Sequence, residues 1–231
     1  MSLICLFVVL TPLVVELNFN SGSCTGSIPS EIGLLANLTM LGLKGEVDVL
    51  HDLFSSYSGL SGPIPSEIGK LSQLGKCRPS SSIGHPRGAN LTNLYSQVSI
   101  NLGENSLSGQ IPTEIGQLLL LKECDLGLNL LDGTIPTEIA ALTNLELLRL
   151  RGDAERGYER NRIEGTFPSA LGNLVNLECF DAGGTLLTGT FPESFCASTS
   201  TSLFINLRCV GVSGVCSCCE CDADDKCAAL V

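Results

Sequence analysis

The chain has 231 residues, 44% of them hydrophobic, and a formal net charge of −11. The apolar share is enough for a buried core and excludes a disordered chain. The acidic balance argues against nucleic acid, whose binding is built on Lys and Arg contacts to phosphate. No uninterrupted apolar run reaches the roughly 18 residues of a membrane span.

Residues 1–15, "MSLICLFVVLTPLVV", have the apolar character of a signal peptide's central region, without a preceding positive charge or a clear small-residue cleavage site. Residues 1–12 are read as a possible signal peptide. The alternative is that they pack as the edge of the array that follows.

From residue 13 to 197 the chain keeps rewriting one phrase. It reads "CTGSIPSEIGLL" from Cys24 to Leu35, "LSGPIPSEIGKL" from Leu60 to Leu71, "LSGQIPTEIGQL" from Leu107 to Leu118 and "LDGTIPTEIAAL" from Leu131 to Leu142. The prolines of these steps, Pro29, Pro65, Pro112, Pro136, Pro168 and Pro192, are spaced 36, 47, 24, 32 and 24 residues apart. A unit of 24 residues therefore repeats six times, interrupted by insertions near 44–59, 75–97 and 151–160.

One template of apolar positions runs through the units. A clean copy has Leu118, Leu121, Cys124, Leu126, Asn129, Leu131, Gly133, Ile135 and Pro136. The alternation in "CDL" and "LRL" marks a short strand with one outward side chain between two inward ones. Asn105, Asn129 and Asn161 are expected to turn inward and satisfy backbone groups where the chain leaves the strand. The Gly–x–Ile–Pro step supplies a permissive backbone, a buried aliphatic and a residue with no backbone donor. A single unit has one apolar side and needs its neighbours to cover it.

These residues resemble the plant-type leucine-rich repeat subfamily, which includes receptor-like kinase ectodomains, receptor-like proteins and polygalacturonase-inhibiting proteins. The resemblance covers roughly residues 10–195. It implies an α/β solenoid, a right-handed horseshoe with a parallel β-sheet on the concave face and short 3₁₀ or α turns on the convex face. A second strand is implied near the Gly–x–Ile–Pro step.

Residues 198–231 are read as a cysteine-rich cap over the open end of the array, similar to tails of some algal members. Cys196, Cys209, Cys216, Cys218, Cys219, Cys221 and Cys227 are its candidate disulfide cysteines. Their number is odd, so one thiol is left over or Cys179 joins them. The interleaved C-x-x-C pairs are too close together to surround one ion and no His lies near, so no metal site and no cofactor are assigned. Cys24 and Cys124 stand at Leu positions and read as buried thiols. Asn37-Leu38-Thr39 and Asn90-Leu91-Thr92 are glycosylation acceptors. Acceptors and disulfides both point outside the cell.

No catalytic residue is assigned. The two histidines, His51 and His85, lie in insertions with no repeat scaffold to hold them against a nucleophile. The outward strand positions instead suggest binding: Glu123, Asp125, Arg149, Arg151 and Asp181 form a polar stripe, with Arg149 expected between Asp125 and Asp181. Seven strands present a face of about 430 Å², against about 800 Å² per partner in a standard interface. The insertions are candidates for the missing area, because Tyr57 and Tyr158 lie in the first and third, at the concave rim. Their competing reading is disordered or spurious sequence, translated intron in the case of residues 75–97. The expected function is a non-catalytic extracellular recognition module for a protein, peptide or glycan. An intracellular repeat scaffold is the alternative, and the oligomeric state is left open.

Overall fold

The computed structural model describes residues 16–18, 25–35, 38, 40–43, 59–71, 99–152, 160–189 and 204–206. The N-terminal segment, the first two insertions, residues 153–159 of the third and, except for 204–206, the cysteine-rich region lie outside the described residues. The strands in chain order are β1 (Glu16–Asn18), β2 (Met40–Gly42), β3 (Ser61–Gly62), β4 (Ser99–Asn101), β5 (Ser106–Gln110), β6 (Glu123–Asp125), β7 (Leu130–Asp132), β8 (Leu147–Arg149), β9 (Glu164–Thr166), β10 (Cys179–Asp181), β11 (Leu186–Thr188) and β12 (Phe204–Asn206).

Seven of these make one parallel sheet in the order β1-β2-β4-β6-β8-β10-β12. The register holds the repeat template level from strand to strand: Cys124 stands opposite Leu148, and Leu148 opposite Phe180. These central residues all point inward and are fully buried. The ladder continues past the strand ends, where Leu126 N–H donates to Arg149 O and Leu150 N–H to Asp181 O. Leu126, Leu148 and Leu150 are buried, as the template requires. In the last full repeat, Phe167 and Phe180 fill the aliphatic positions and meet edge to face at 6.3 Å.

The other side of each unit is a single 3₁₀ turn, at Ser30–Leu34, Ser66–Lys70, Thr113–Gln117, Thr137–Ala141 and Ser169–Asn173. Proline precedes every one, in extended or near-extended conformation, where its missing N–H costs nothing. The third residue of the turn, such as Ile115, is buried, and so is the closing Leu118. Tight stacking explains the glycine of "TEIG". A Cβ on Gly116 would lie 2.4 Å from the Glu138 carbonyl oxygen of the next unit. Between sheet and turn, β3-β5-β7 and β9-β11 form two small parallel sheets at the expected second-strand position. There Gly109 and Gly133 take φ of 77° and 72°, a region other residues avoid.

The three asparagines turn inward, as expected. Asn105 and Asn129 are buried, and each carboxamide bridges two units: Asn129 Nδ2 donates to Leu102 O and Leu126 O, and its Oδ1 accepts from Leu107 N–H. The unit after that of Asn161 has Thr185 at this place, whose hydroxyl donates to Ala182 O at 2.7 Å.

Candidate functional site

The outward third residues of the central strands are Asn101, Asp125, Arg149 and Asp181. Three of them follow one rule. Asn101 Oδ1 accepts from Gly103 N–H, Asp125 Oδ1 from Gly127 N–H, and Asp181 Oδ1 from Gly183 N–H. Each acceptor ends its strand by capping the second backbone N–H that follows. The glycine makes room as well, since a Cβ on Gly103 would sit 2.9 Å from Asp125 Oδ1. Asn-Leu-Gly, Asp-Leu-Gly and Asp-Ala-Gly are therefore turn motifs, and their Asx side chains have a scaffold role.

β8 breaks the rule with Arg149-Leu150-Arg151. Neither arginine has a carboxylate to cap a turn, and Arg151 occupies the glycine position. The register places Arg149 between Asp125 and Asp181. Its Nη1 lies 3.5 Å from Asp125 Oδ2, with both side chains mostly covered. Asp181 is itself only 1% exposed, so it is covered and does not stand on the open face.

Along the edge where the strands begin, Lys122 and Glu146 form an ion pair, which raises the lysine pKa above its ordinary value. Glu123 beside them is half-buried. Burial, then the nearby Glu146, push its carboxyl above the usual range, against the opposing pull of Arg149 and Lys122. The face thus holds two arginines and a desolvated carboxylate within a single pair of adjacent strands.

The first strand positions carry two residues not among those expected on the stripe, one of them the Cys179 offered as an added disulfide cysteine. Leu147 and Cys179 stand in register on β8 and β10, on the same side as Glu123. Leu147 is only 5% exposed and Cys179 is fully buried. Cys179 is also disulfide-bonded. The alternation of the strand, applied one residue earlier, would have placed both outside the core. Cys124 is the reverse case: it is free, buried in the core, and burial pushes its thiol strongly upward, so it behaves as a small apolar side chain. Tyr57, Tyr158, Asn37, Asn90 and the seven C-terminal candidate cysteines lie outside the described residues. Among the described residues no cluster of three metal-ligating side chains occurs, and no helix is long and apolar enough to cross a membrane.

No family model and no curated protein sequence matches the chain. Solved structures do. The plant peptide hormone receptor RGFR1, in complex with RGF2, is 29% identical with a TM-score of 0.59, over 89% of this chain and 24% of that one. The leucine-rich repeat ectodomain of the Arabidopsis receptor kinase HAESA, in complex with an IDA peptide hormone, is 25% identical with a TM-score of 0.59, over 87% of this chain and 26% of that one. The chain has the leucine-rich repeat solenoid fold and is similar to these plant receptor ectodomains.

The solenoid spans about a quarter of the length of those two receptor chains. A plant ice-binding protein is also similar, at 26% identity and a TM-score of 0.56, over 87% of this chain and 49% of that one. Proteins with different roles thus share this backbone, and the residues on the concave sheet have to distinguish among them.

Proposed function

We propose that this chain is a non-catalytic recognition module outside the cell that binds a peptide or protein through its concave sheet. The observation that carries the proposal is the break at Arg149-Leu150-Arg151. Asn101, Asp125 and Asp181 in that column are accounted for by turn capping, whereas two arginines in successive outward places serve no such need. They lie about 7 Å apart along an extended chain, a spacing suited to an anionic group such as a carboxylate, which guanidinium binds in a forked geometry. Peptide-bound RGFR1 and HAESA ectodomains support the reading. Glu123 and Asp125 set the arginines' surroundings, and Tyr57 and Tyr158 would add contact area from the rim.

An extracellular setting fits the disulfide at Cys179, since such bonds persist in oxidising compartments. It also fits Asn37. That residue precedes the buried Leu38, the place held in later units by the exposed Asn144 and Asn176, so a glycan there would project from the convex side.

The test is a binding screen of the full chain against peptide, wall-glycan and secreted-hydrolase panels, repeated with Arg149→Met/Arg151→Met. Charge-assisted hydrogen bonds contribute about 1.5–3 kcal/mol, so loss of the pair should weaken a carboxylate-bearing hit about tenfold or more. Hits confined to neutral glycans, bound equally by the variant, would refute the proposal.

A further inference from the structure

Where the chain leaves a central strand, the residue just before the inward asparagine, or before Thr185 in its place, takes a positive φ. The angle is 57° at Glu104, 53° at Leu128 and 69° at Gly184. This region suits glycine and is unfavourable for leucine, whose Cβ crowds the following carbonyl oxygen. The backbone there has a clear task. Glu104 N–H donates to Gly127 O at 2.9 Å and Leu128 N–H to Arg151 O at 2.7 Å, so the turn carries the ladder beyond the strand. A glycine adopts the same conformation at Gly184 without the steric cost.

Burial in the core does not offset that cost. Leu128 is only half-buried, whereas Leu126, Asn129 and Leu131 around it are fully buried. A strained, partly exposed leucine at a place that glycine can fill points to a contact made outside the fold.

We propose that Leu128 is a ligand contact, the apolar wall of the site at Arg149 and Arg151, and that the partner is a peptide with a bulky apolar side chain beside its carboxylate. The hydrogen bond from Leu128 N–H to Arg151 O sets the two residues next to each other on adjacent units. Gly127, which precedes Leu128, has no side chain to fill the space there: a Cβ on it would lie 3.7 Å from Arg151 Cβ. Glu104 holds the equivalent place one unit earlier, and its carboxylate repels an acid approaching from that side.

The ligand is oriented as a result, its carboxylate toward the arginines and its apolar group over Leu128. Guanidinium groups alone accept almost any small anion. The leucine adds discrimination, because covering it removes apolar area from water only when the ligand brings an apolar surface of its own.

The test is a selection of random dodecapeptides with free C-termini on the full chain, on Leu128→Gly and on Arg149→Met/Arg151→Met. The parent should enrich peptides in which Leu, Ile, Phe or Met stands directly beside Asp, Glu or the terminal carboxylate. Leu128→Gly should keep the acidic preference and lose the apolar one, and a parent-selected peptide should bind it about tenfold more weakly. Its melting temperature should stay close to the parent's, since relief of strain opposes the looser unfolded chain.

Unchanged affinity in Leu128→Gly, or a parent that enriches acidic peptides with no apolar neighbour, overturns the proposal. So does a loss of melting temperature as large as that of Leu148→Ala in both Leu128→Gly and Leu128→Asn, asparagine being a residue that tolerates this conformation; the leucine would then be structural. The role of Leu128 rests on reading the arginine pair as an anion site, but the two fail separately. If Arg149→Met/Arg151→Met keeps the acidic preference, the arginine reading fails, while an apolar preference lost only in Leu128→Gly still supports the leucine contact. A selection that enriches no peptide overturns both.

Discussion

Asn129 and Asn161 donate to the same oxygen: Nδ2 of each reaches the Leu126 carbonyl, at 3.1 and 2.8 Å. Each carboxamide thus ties its own unit to the one before, and the carbonyls exposed where the sheet ends are satisfied twice. Removing Asn129 leaves buried groups without partners on both units, each costing about 1–3 kcal/mol. Asn129→Ala should therefore lose about 3 kcal/mol or more in urea denaturation. A loss below about 1 kcal/mol would mean that the bridge contributes little.

Leu148 lies between Cys124 and Phe180 at the middle of the sheet, with no exposure at all. Truncation removes apolar contacts to both neighbouring units and leaves a cavity that tight packing cannot close. Leu148→Ala is expected to cost about 2–5 kcal/mol. An unfolding midpoint equal to the parent's would contradict the register.

The repeat frame was legible because period and chemistry agree: Leu126, Asn129, Gly133 and Pro136 each meet a distinct physical need at a fixed spacing. The concave site was only partly legible. Alternation placed Asp125, Arg149 and Asp181 outward, and the register confirms Arg149 between the two acids. What alternation could not convey is that Asp125 and Asp181 cap the backbone of Gly127 and Gly183, because that depends on side-chain rotation at the strand end. Nor could it show that Asp181 and Cys179 are covered, since burial on an outward column depends on what packs against the sheet.

Glu123 gives a pH-dependent expectation. Burial and Glu146 raise its folded pKa above 4.5, its ordinary value. For such a group the stabilisation is present below the unfolded pKa and lost as pH rises through the folded one. At pH 7 the charged carboxylate is therefore a liability, which Glu123→Gln removes. The variant should melt higher than the parent near neutrality, and the difference should shrink on acidification and vanish below the ordinary carboxylate range. A difference in melting temperature that is independent of pH, or a less stable variant at neutrality, would count against this account.

The last expectation concerns the third insertion. Gly152 and Arg160 bracket residues 153–159, and a Cβ on Gly152 would lie 2.6 Å from the Arg160 carbonyl oxygen and 2.3 Å from that of Gly184. The two ends of the insertion therefore meet, and its excursion begins and returns at one point of the frame. Arg151 and Gly152, expected to lie within the insertion, belong to the frame: Gly152 N–H donates to Gly183 O and Leu128 N–H to Arg151 O. Since the frame closes without the excursion, replacing residues 153–159 by two glycines should leave the melting temperature within a few degrees, the closure entropy of so short a loop changing by less than about 1 kcal/mol. The same replacement deletes Tyr158. If the insertion is a recognition loop, binding of a peptide hit should weaken by about 2 kcal/mol, the cost typical of losing a tyrosine hot spot. Unchanged binding together with unchanged folding would make this rim plain spacer, and leave recognition to the strands alone.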